Sequence, residues 1–131
     1  ENGTKSCLFV SASKLVSEIK RSWDNGNEIK ENTLLDRIKK VDLLVIDDLG
    51  AENGTMQPNK NGVMPPAKPF VGDIWYKIFN SRDNKPTIIT TNLSSLALEQ
   101  IYDYRLLSRM MRETLSNDAV FKFEGIKDKR R

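Results

Sequence analysis

The sequence predicts an α/β fold with a mostly parallel sheet. Short apolar, β-branched segments alternate along the chain with stretches whose apolar residues recur at helical spacing. Residues 43–46 are a continuous apolar run, as is typical of a parallel strand buried on both faces. Asp47, Asp48 and Asn92 follow two of the predicted strands. Because ligands bind at the carboxyl ends of strands in such sheets, these positions are where we expect a functional site.

The first part of the chain is predicted to form a strand and two amphipathic helices. Residues 7–10 are a short apolar run typical of a buried strand. Ser11 or Ser13 can cap the helix that follows, and the polar, Gly-containing segment 24–27 ends it. The apolar face of this helix carries Leu15, Val16, Ile19 and Trp23. The second helix carries Leu34, Leu35 and Ile38.

The middle of the chain contains two further strands. Residues 41–48 predict a buried strand that ends in two aspartates. Residues 53–69 are rich in Asn, Gly and Pro and predict a loop that is too long to be a simple connector. A helix over 70–80 and a β-branched strand over 87–91, which ends at Asn92, follow it.

The last part of the chain is predicted to hold two helices and a strand. Ser94 or Ser95 can cap a short helix, and apolar residues at helical spacing predict another helix over 105–115. An apolar segment over 119–123 predicts the final strand.

Composition excludes several classes of function. The 131 residues carry a net charge of +3 and contain no histidine, so Ser-His-Asp hydrolysis and His-ligated zinc sites are excluded. Cys7 is the single cysteine and has no disulfide partner in the chain. No apolar run approaches the ~18 residues of a membrane span, so we expect no membrane partner. The chain starts without a methionine, and we expect it to be part of a larger protein.

The basic residues are concentrated at one end of the chain. Residues 105–131 hold eight basic and four acidic side chains, a net +4, whereas the rest carries 13 basic and 14 acidic, a net −1. A basic end suits contact with phosphate or nucleic acid, and a solvated tail is the alternative.

The strand that ends in Asp47 and Asp48 has the pattern of a Walker B motif. Such a strand holds two carboxylates rigidly where the phosphates of a nucleotide would lie. Asp47 would hold Mg²⁺, through water, because Mg²⁺ dehydrates reluctantly. Asp48 would polarise the attacking water. The alternative is a strand that simply ends in an acidic turn.

The neighbouring strand ends in Thr91 and Asn92, which are candidate nucleotide contacts. An amide at this position can hydrogen-bond both the γ-phosphate and the attacking water, the role called sensor 1. The alternative is an asparagine that ends a strand through a turn.

These motifs, in this order, resemble the AAA+ domain of the bacterial replicative helicase loaders, the DnaC and DnaI group, and of their relative IstB, a transposition ATPase. The segments that carry the resemblance are residues 7–12, 42–52, 85–94, 105–110 and 121–125. It implies a three-layer αβα P-loop NTPase core, with ATP and Mg²⁺ as cofactors and a cytoplasmic location. It also implies the replicative DNA helicase and single-stranded DNA as partners, in the primosome.

Within this resemblance, Arg105 and Arg109 match the arginines of the family's box VII segment, which reach the ATP of a neighbouring subunit. Self-association would then be needed for hydrolysis, because an arginine supplied in trans stabilises charge on the transferring phosphoryl group. The alternative is a pair of surface arginines on an amphipathic helix.

Two departures from the family pattern limit the resemblance. The phosphate-binding loop, Gly-x-x-x-x-Gly-Lys-Ser/Thr, does not occur in the sequence. We therefore expect residues 1–131 to be a partial AAA+ domain with four of five strands, lacking the first strand and its loop, and inactive alone. Residues 53–69 are expected to be an inserted flexible loop.

The resemblance leaves three functions open. The first is an ATP-regulated helicase loader of DNA replication, which delivers the replicative helicase to single-stranded DNA. The second is an IstB-like helper ATPase of transposition. The third is a non-hydrolysing, phage-type factor that binds the helicase or its loader.

Overall fold

The structure, a computed structural model, describes residues 3–82, 85–112 and 119–124. It contains a three-stranded parallel sheet in the order β1-β2-β3. The strands are β1 (Cys7–Ser11), β2 (Leu43–Leu49) and β3 (Thr87–Thr91). The predicted α/β fold with a mostly parallel sheet is confirmed.

Five helices connect and follow the strands within the described residues. They are α1 (Ala12–Asp24), α2 (Glu28–Lys40), α3 (Pro69–Arg82), α4 (Ser95–Ile101) and α5 (Tyr104–Met110). Of the alternative caps, Ser11 caps α1 and Ser94 caps α4, because their hydroxyls accept the N–H groups of Lys14 and Ala97. A single 3₁₀ turn, Ala51–Asn53, follows β2.

The hydrophobic core lies on one face of the sheet. Leu44 and Ile46 of β2 are fully buried there among residues of the helices. On the opposite face, Phe9, Val45 and Ile88 form a row across the three strands, and Phe9 and Ile88 are 63% and 51% exposed. Of the three predicted layers, the described residues show the sheet and one helical layer.

Arg82, at the end of α3, is 1% exposed and joins three segments of the fold. Its guanidinium donates to the carbonyls of Ile38, Val41, Asp42 and Pro86 and to the hydroxyl of Thr87, at distances from 2.6 to 3.3 Å. All five N–H groups are therefore used. Burial lowers the pKa of Arg82, and the nearby Asp42 charge opposes that shift.

The segment between the 3₁₀ turn and α3 contacts α4. The N–H of Ala67 donates to the carbonyl of Ile101 at 2.8 Å, and that of Met64 donates to the Gln100 side chain at 2.9 Å. Met56, Met64 and Ala67 also pack against the core. That this segment is a flexible insertion stays a prediction.

The predicted last strand is wrong. Residues 119–124 have no regular secondary structure, and Phe121 and Phe123 are 78% and 80% exposed. A strand forms only where a neighbour pairs with its backbone, and no strand lies beyond β3 among the residues described. The predicted helix over 105–115 is shorter, since α5 ends at Met110 and residues 113–115 lie outside the described part.

In the described ranges, none of the helices has the length and apolarity needed to cross a membrane.

Candidate functional site

The structure brings the predicted strand-end residues together at one edge of the sheet. β2 and β3 are parallel neighbours, so both of their carboxyl ends lie at this edge. The side-chain amide of Asn92 donates to Asp48 Oδ1 at 3.3 Å. Asp48 is exposed and Asp47 is half-buried, so both carboxylates are open to a ligand.

Thr90 connects the two carboxylates and was missed in the sequence analysis. Its hydroxyl donates to Asp47 Oδ1 at 2.7 Å and accepts the N–H of Asp48 at 2.9 Å. Side chains alternate between the two faces of a strand, and this rule places Thr90, rather than Thr91, on the face of Asp47. The alternation of side chains along the strand could have identified Thr90 from the sequence.

A backbone irregularity sets the direction of Asp48. Ile46 pairs with Ile89 and Leu49 pairs with Thr91, so Asp47 and Asp48 together lie opposite the single residue Thr90. This is the arrangement of a β-bulge. Asp48 has φ 59°, in the left-handed region, which aspartate tolerates better than most residues. Strained residues of this kind are concentrated at functional sites.

The hydroxyl of Thr91 is engaged inside the fold. It donates to the carbonyl of Leu49 at 2.7 Å and accepts the N–H of Leu93 at 3.1 Å. These bonds fix the turn that carries Asn92. Thr90 is therefore a further candidate, and a nucleotide contact by Thr91 stays a prediction.

The chemistry of this edge fits a magnesium ion held partly by a substrate. Within the described residues no group of three or more His, Cys, Asp or Glu is arranged to hold a metal. Mg²⁺ in nucleotide sites is bound by one or two carboxylates together with phosphates and water. Thr90 uses only one of the roughly four acceptor positions of Asp47, which leaves the others available.

Arg105 and Arg109 belong to a different element, helix α5. Both are exposed on α5, one helical turn from each other, while Leu106 and Met110 of the same helix are buried. Helix α5 packs against α3 and α4. Among the residues the structure describes, neither arginine makes an ion pair or a hydrogen bond with Asp47 or Asp48. Their side chains are thus available to another molecule.

The described residues form a mixed α/β fold with a parallel three-stranded sheet, and Asp47, Asp48 and Asn92 lie together where two of its strands end. The chain is similar in structure to DnaA from Aquifex aeolicus in its AMPPCP-bound form, with a TM-score of 0.58 and 16% sequence identity over 91% of this chain and 38% of that one. A stretch of 48 residues, 37% of this chain, is 40% identical to the replicative helicase loader DnaC of Buchnera aphidicola subsp. Baizongia pistaciae. The chain covers 20% of that relative. No family model matches the sequence.

Proposed function

We propose that this chain is part of an ATP-regulated helicase loader, which delivers the replicative DNA helicase to single-stranded DNA in the primosome. In this proposal the chain supplies the Walker B aspartates, the sensor 1 asparagine and the arginines that act on a neighbouring copy. The 48-residue similarity to a replicative helicase loader favours this function over the transposition helper. The similarity of fold to a DnaA bound to an ATP analogue supports a nucleotide as the ligand. In this proposal the protein is cytoplasmic.

The contact between Asn92 and Asp48 is the observation that carries the proposal. It holds an amide and a carboxylate beside each other at two adjacent strand ends. Asp48 would orient the attacking water, and Asn92 would hydrogen-bond that water and the γ-phosphate. Asp47, fixed by Thr90, would retain Mg²⁺ through water, and the ion would neutralise charge on the phosphates.

The missing parts of the site would come from two places. The phosphate-binding loop would belong to a longer protein, in which residues 1–131 are a partial AAA+ domain. We call a protein that carries this loop upstream of the chain the loop-containing protein. Arg105 or Arg109 would reach the nucleotide of a neighbouring copy, so hydrolysis would require self-association.

A loading assay tests the function. The loop-containing protein with ATP should increase the amount of replicative helicase bound to circular single-stranded DNA. An Asp48→Asn variant should alter that amount without losing contact with the helicase. If the protein neither binds the helicase nor changes its loading, but stimulates a transposase, the transposition helper is the correct function.

The first prediction concerns ATP binding by the 131-residue chain alone. We expect it to be poor, because most affinity for a triphosphate comes from the backbone N–H groups and lysine of the phosphate-binding loop. Without Mg²⁺, Asp47 and Asp48 also repel the phosphates. A fluorescent ATP analogue, followed by anisotropy, measures this binding. Micromolar affinity for the isolated chain would contradict the prediction.

The second prediction separates the two aspartates in the loop-containing protein. Asp48→Asn should slow hydrolysis and spare ATP binding, whereas Asp47→Asn should also weaken Mg²⁺-dependent binding. The reason is that one carboxylate orients water and the other retains the metal.

Hydrolysis rates and ATP titrations at several Mg²⁺ concentrations give the two quantities. Asp42→Asn is the matched control, because Asp42 precedes β2 at the opposite edge of the sheet, where it binds Ser6. An equal loss of ATP binding in both strand-end variants would reject the assignment of roles.

A further inference from the structure

The carboxylate of Glu52, next to the candidate site, links this site to α5, the helix that carries Arg105 and Arg109. Glu52 lies in the 3₁₀ turn after β2 and is half-buried. Its Oε1 accepts the N–H of Gly50 at 2.6 Å. Gly50 has φ 111°, and a Cβ at this position would lie 2.5 Å from a methyl group of Leu93. Glu52 therefore holds a turn that packs directly against the residue after Asn92.

The second oxygen of Glu52 binds two buried side chains from distant parts of the chain. Oε2 accepts the indole N–H of Trp75 in α3 at 2.8 Å and the hydroxyl of Tyr102 at 2.5 Å. Trp75 and Tyr102 are 0% and 2% exposed, so each needs an acceptor inside the protein. Burial and the Glu52 charge raise the pKa of Tyr102, which keeps its hydroxyl protonated as a donor.

Tyr102 lies at the junction between α4 and α5. Its N–H donates to the carbonyl of Leu98 and ends α4. The next residue, Asp103, caps α5 by accepting the N–H of Leu106 at 2.8 Å. Three residues after Tyr102 comes Arg105. The hydrogen bond from Tyr102 to Glu52 thus connects the start of α5 with the turn beside Asp48.

We infer that Glu52 is a positioning residue, which fixes α5 so that its arginines can reach the nucleotide of a neighbouring copy. This inference rests on the proposed function, since it deepens the role given there to Arg105 and Arg109. Charge-assisted hydrogen bonds are about twice as strong as neutral ones. A carboxylate is therefore well suited to hold together the turn at Gly50, helix α3 and Tyr102. Glu52→Gln keeps the shape of the side chain but loses the charge and sets an NH₂ group against donors.

The first test uses the Glu52→Gln variant of the loop-containing protein. We expect ATP affinity to stay within about threefold of the wild type, while turnover falls about 10- to 100-fold, as for a misplaced catalytic group. Glu31→Gln is the matched control. Glu31 also accepts an indole N–H, from Trp23 at 2.6 Å, and also binds Lys77. It lies on α2, and among the residues the structure describes it has no hydrogen bond to α4, α5 or Tyr102 between them. Its turnover should stay at the wild-type rate.

The decisive readout is the complementation pattern in mixtures of variants. A Glu52→Gln copy keeps its own Asp48, so turnover should recover when it is mixed with Asp48→Asn, which presents intact arginines. Turnover should not recover in a mixture with an inactive arginine variant, Arg105→Ala or Arg109→Ala, because neither copy then presents the arginine correctly. A loss of stability alone would not produce this pattern.

The opposite pattern would overturn the inference. Recovery with the arginine variant but not with Asp48→Asn would mean that Glu52 acts within its own nucleotide site. Wild-type turnover of Glu52→Gln would also overturn it. If Glu52→Gln does not fold, Tyr102→Phe decides, since it removes only the hydroxyl and should give the same pattern with a smaller loss. Failure of the proposed function would give a different result. In that case Asp48→Asn and both arginine variants, with Glu52 intact, would hydrolyse ATP at the wild-type rate.

Discussion

Arg105→Ala or Arg109→Ala is expected to lower ATP turnover of the loop-containing protein on the order of 10³-fold, while ATP affinity stays nearly normal. The substituted copy keeps its own Asp47, Asp48 and Asn92, but its neighbour loses the cation that stabilises the transferring phosphoryl group. Steady-state hydrolysis and equilibrium ATP binding measure the two effects.

The control for this prediction is Arg37→Ala. Arg37 is an exposed arginine in the last turn of α2, so its loss removes the same charge from a different surface. It should leave turnover unchanged. If both α5 variants hydrolyse ATP at the wild-type rate, the two arginines are only the polar face of an amphipathic helix.

Arg82→Met is expected to lower the free energy of unfolding by about 3–5 kcal/mol, because it leaves a set of buried carbonyl groups without their donor. Four backbone carbonyls and one hydroxyl each lose a hydrogen bond at once, although the Pro86 carbonyl keeps the N–H of Leu44. Since domains of this size are stable by only about 5–15 kcal/mol, this change would remove a large fraction of the total stability.

Urea denaturation followed by circular dichroism measures the change. Lys85→Met is the matched control, because Lys85 Nζ donates to the carbonyls of Lys39 and Lys40 at the same end of α2 but is exposed. It should cost about 0–1 kcal/mol. An Arg82→Met variant as stable as the control would show that water replaces the guanidinium.

Local patterns were enough to predict the first three strands and the polar residues at which two of them end. An apolar run ending in Asp47 and Asp48, and a β-branched run ending in Asn92, each define a strand and its polar end. Their contact followed from one general rule, that parallel strands present their carboxyl ends at a common edge.

Residues whose role depends on distant partners could not be predicted in this way. Glu52 matters through Trp75 and Tyr102, which are 23 and 50 positions away, and no local pattern specifies such contacts. Arg82 is buried although arginine is rarely buried, because carbonyls from two other segments, residues 38–42 and Pro86, converge on it. The predicted strand over 119–123 failed for a related reason, since strand formation depends on a partner as well as on β-propensity.

The central claim is that hydrolysis occurs at a site shared by two copies, with carboxylates from one and an arginine from the other. The most direct measurement mixes the inactive arginine variant of the loop-containing protein with its Asp48→Asn variant and records ATP turnover. We expect partial recovery, well above either variant alone, because some pairs unite an intact Asp48 with an intact arginine. If one arginine variant is inactive and no mixture restores turnover, the arginine acts within its own copy and the shared site is contradicted.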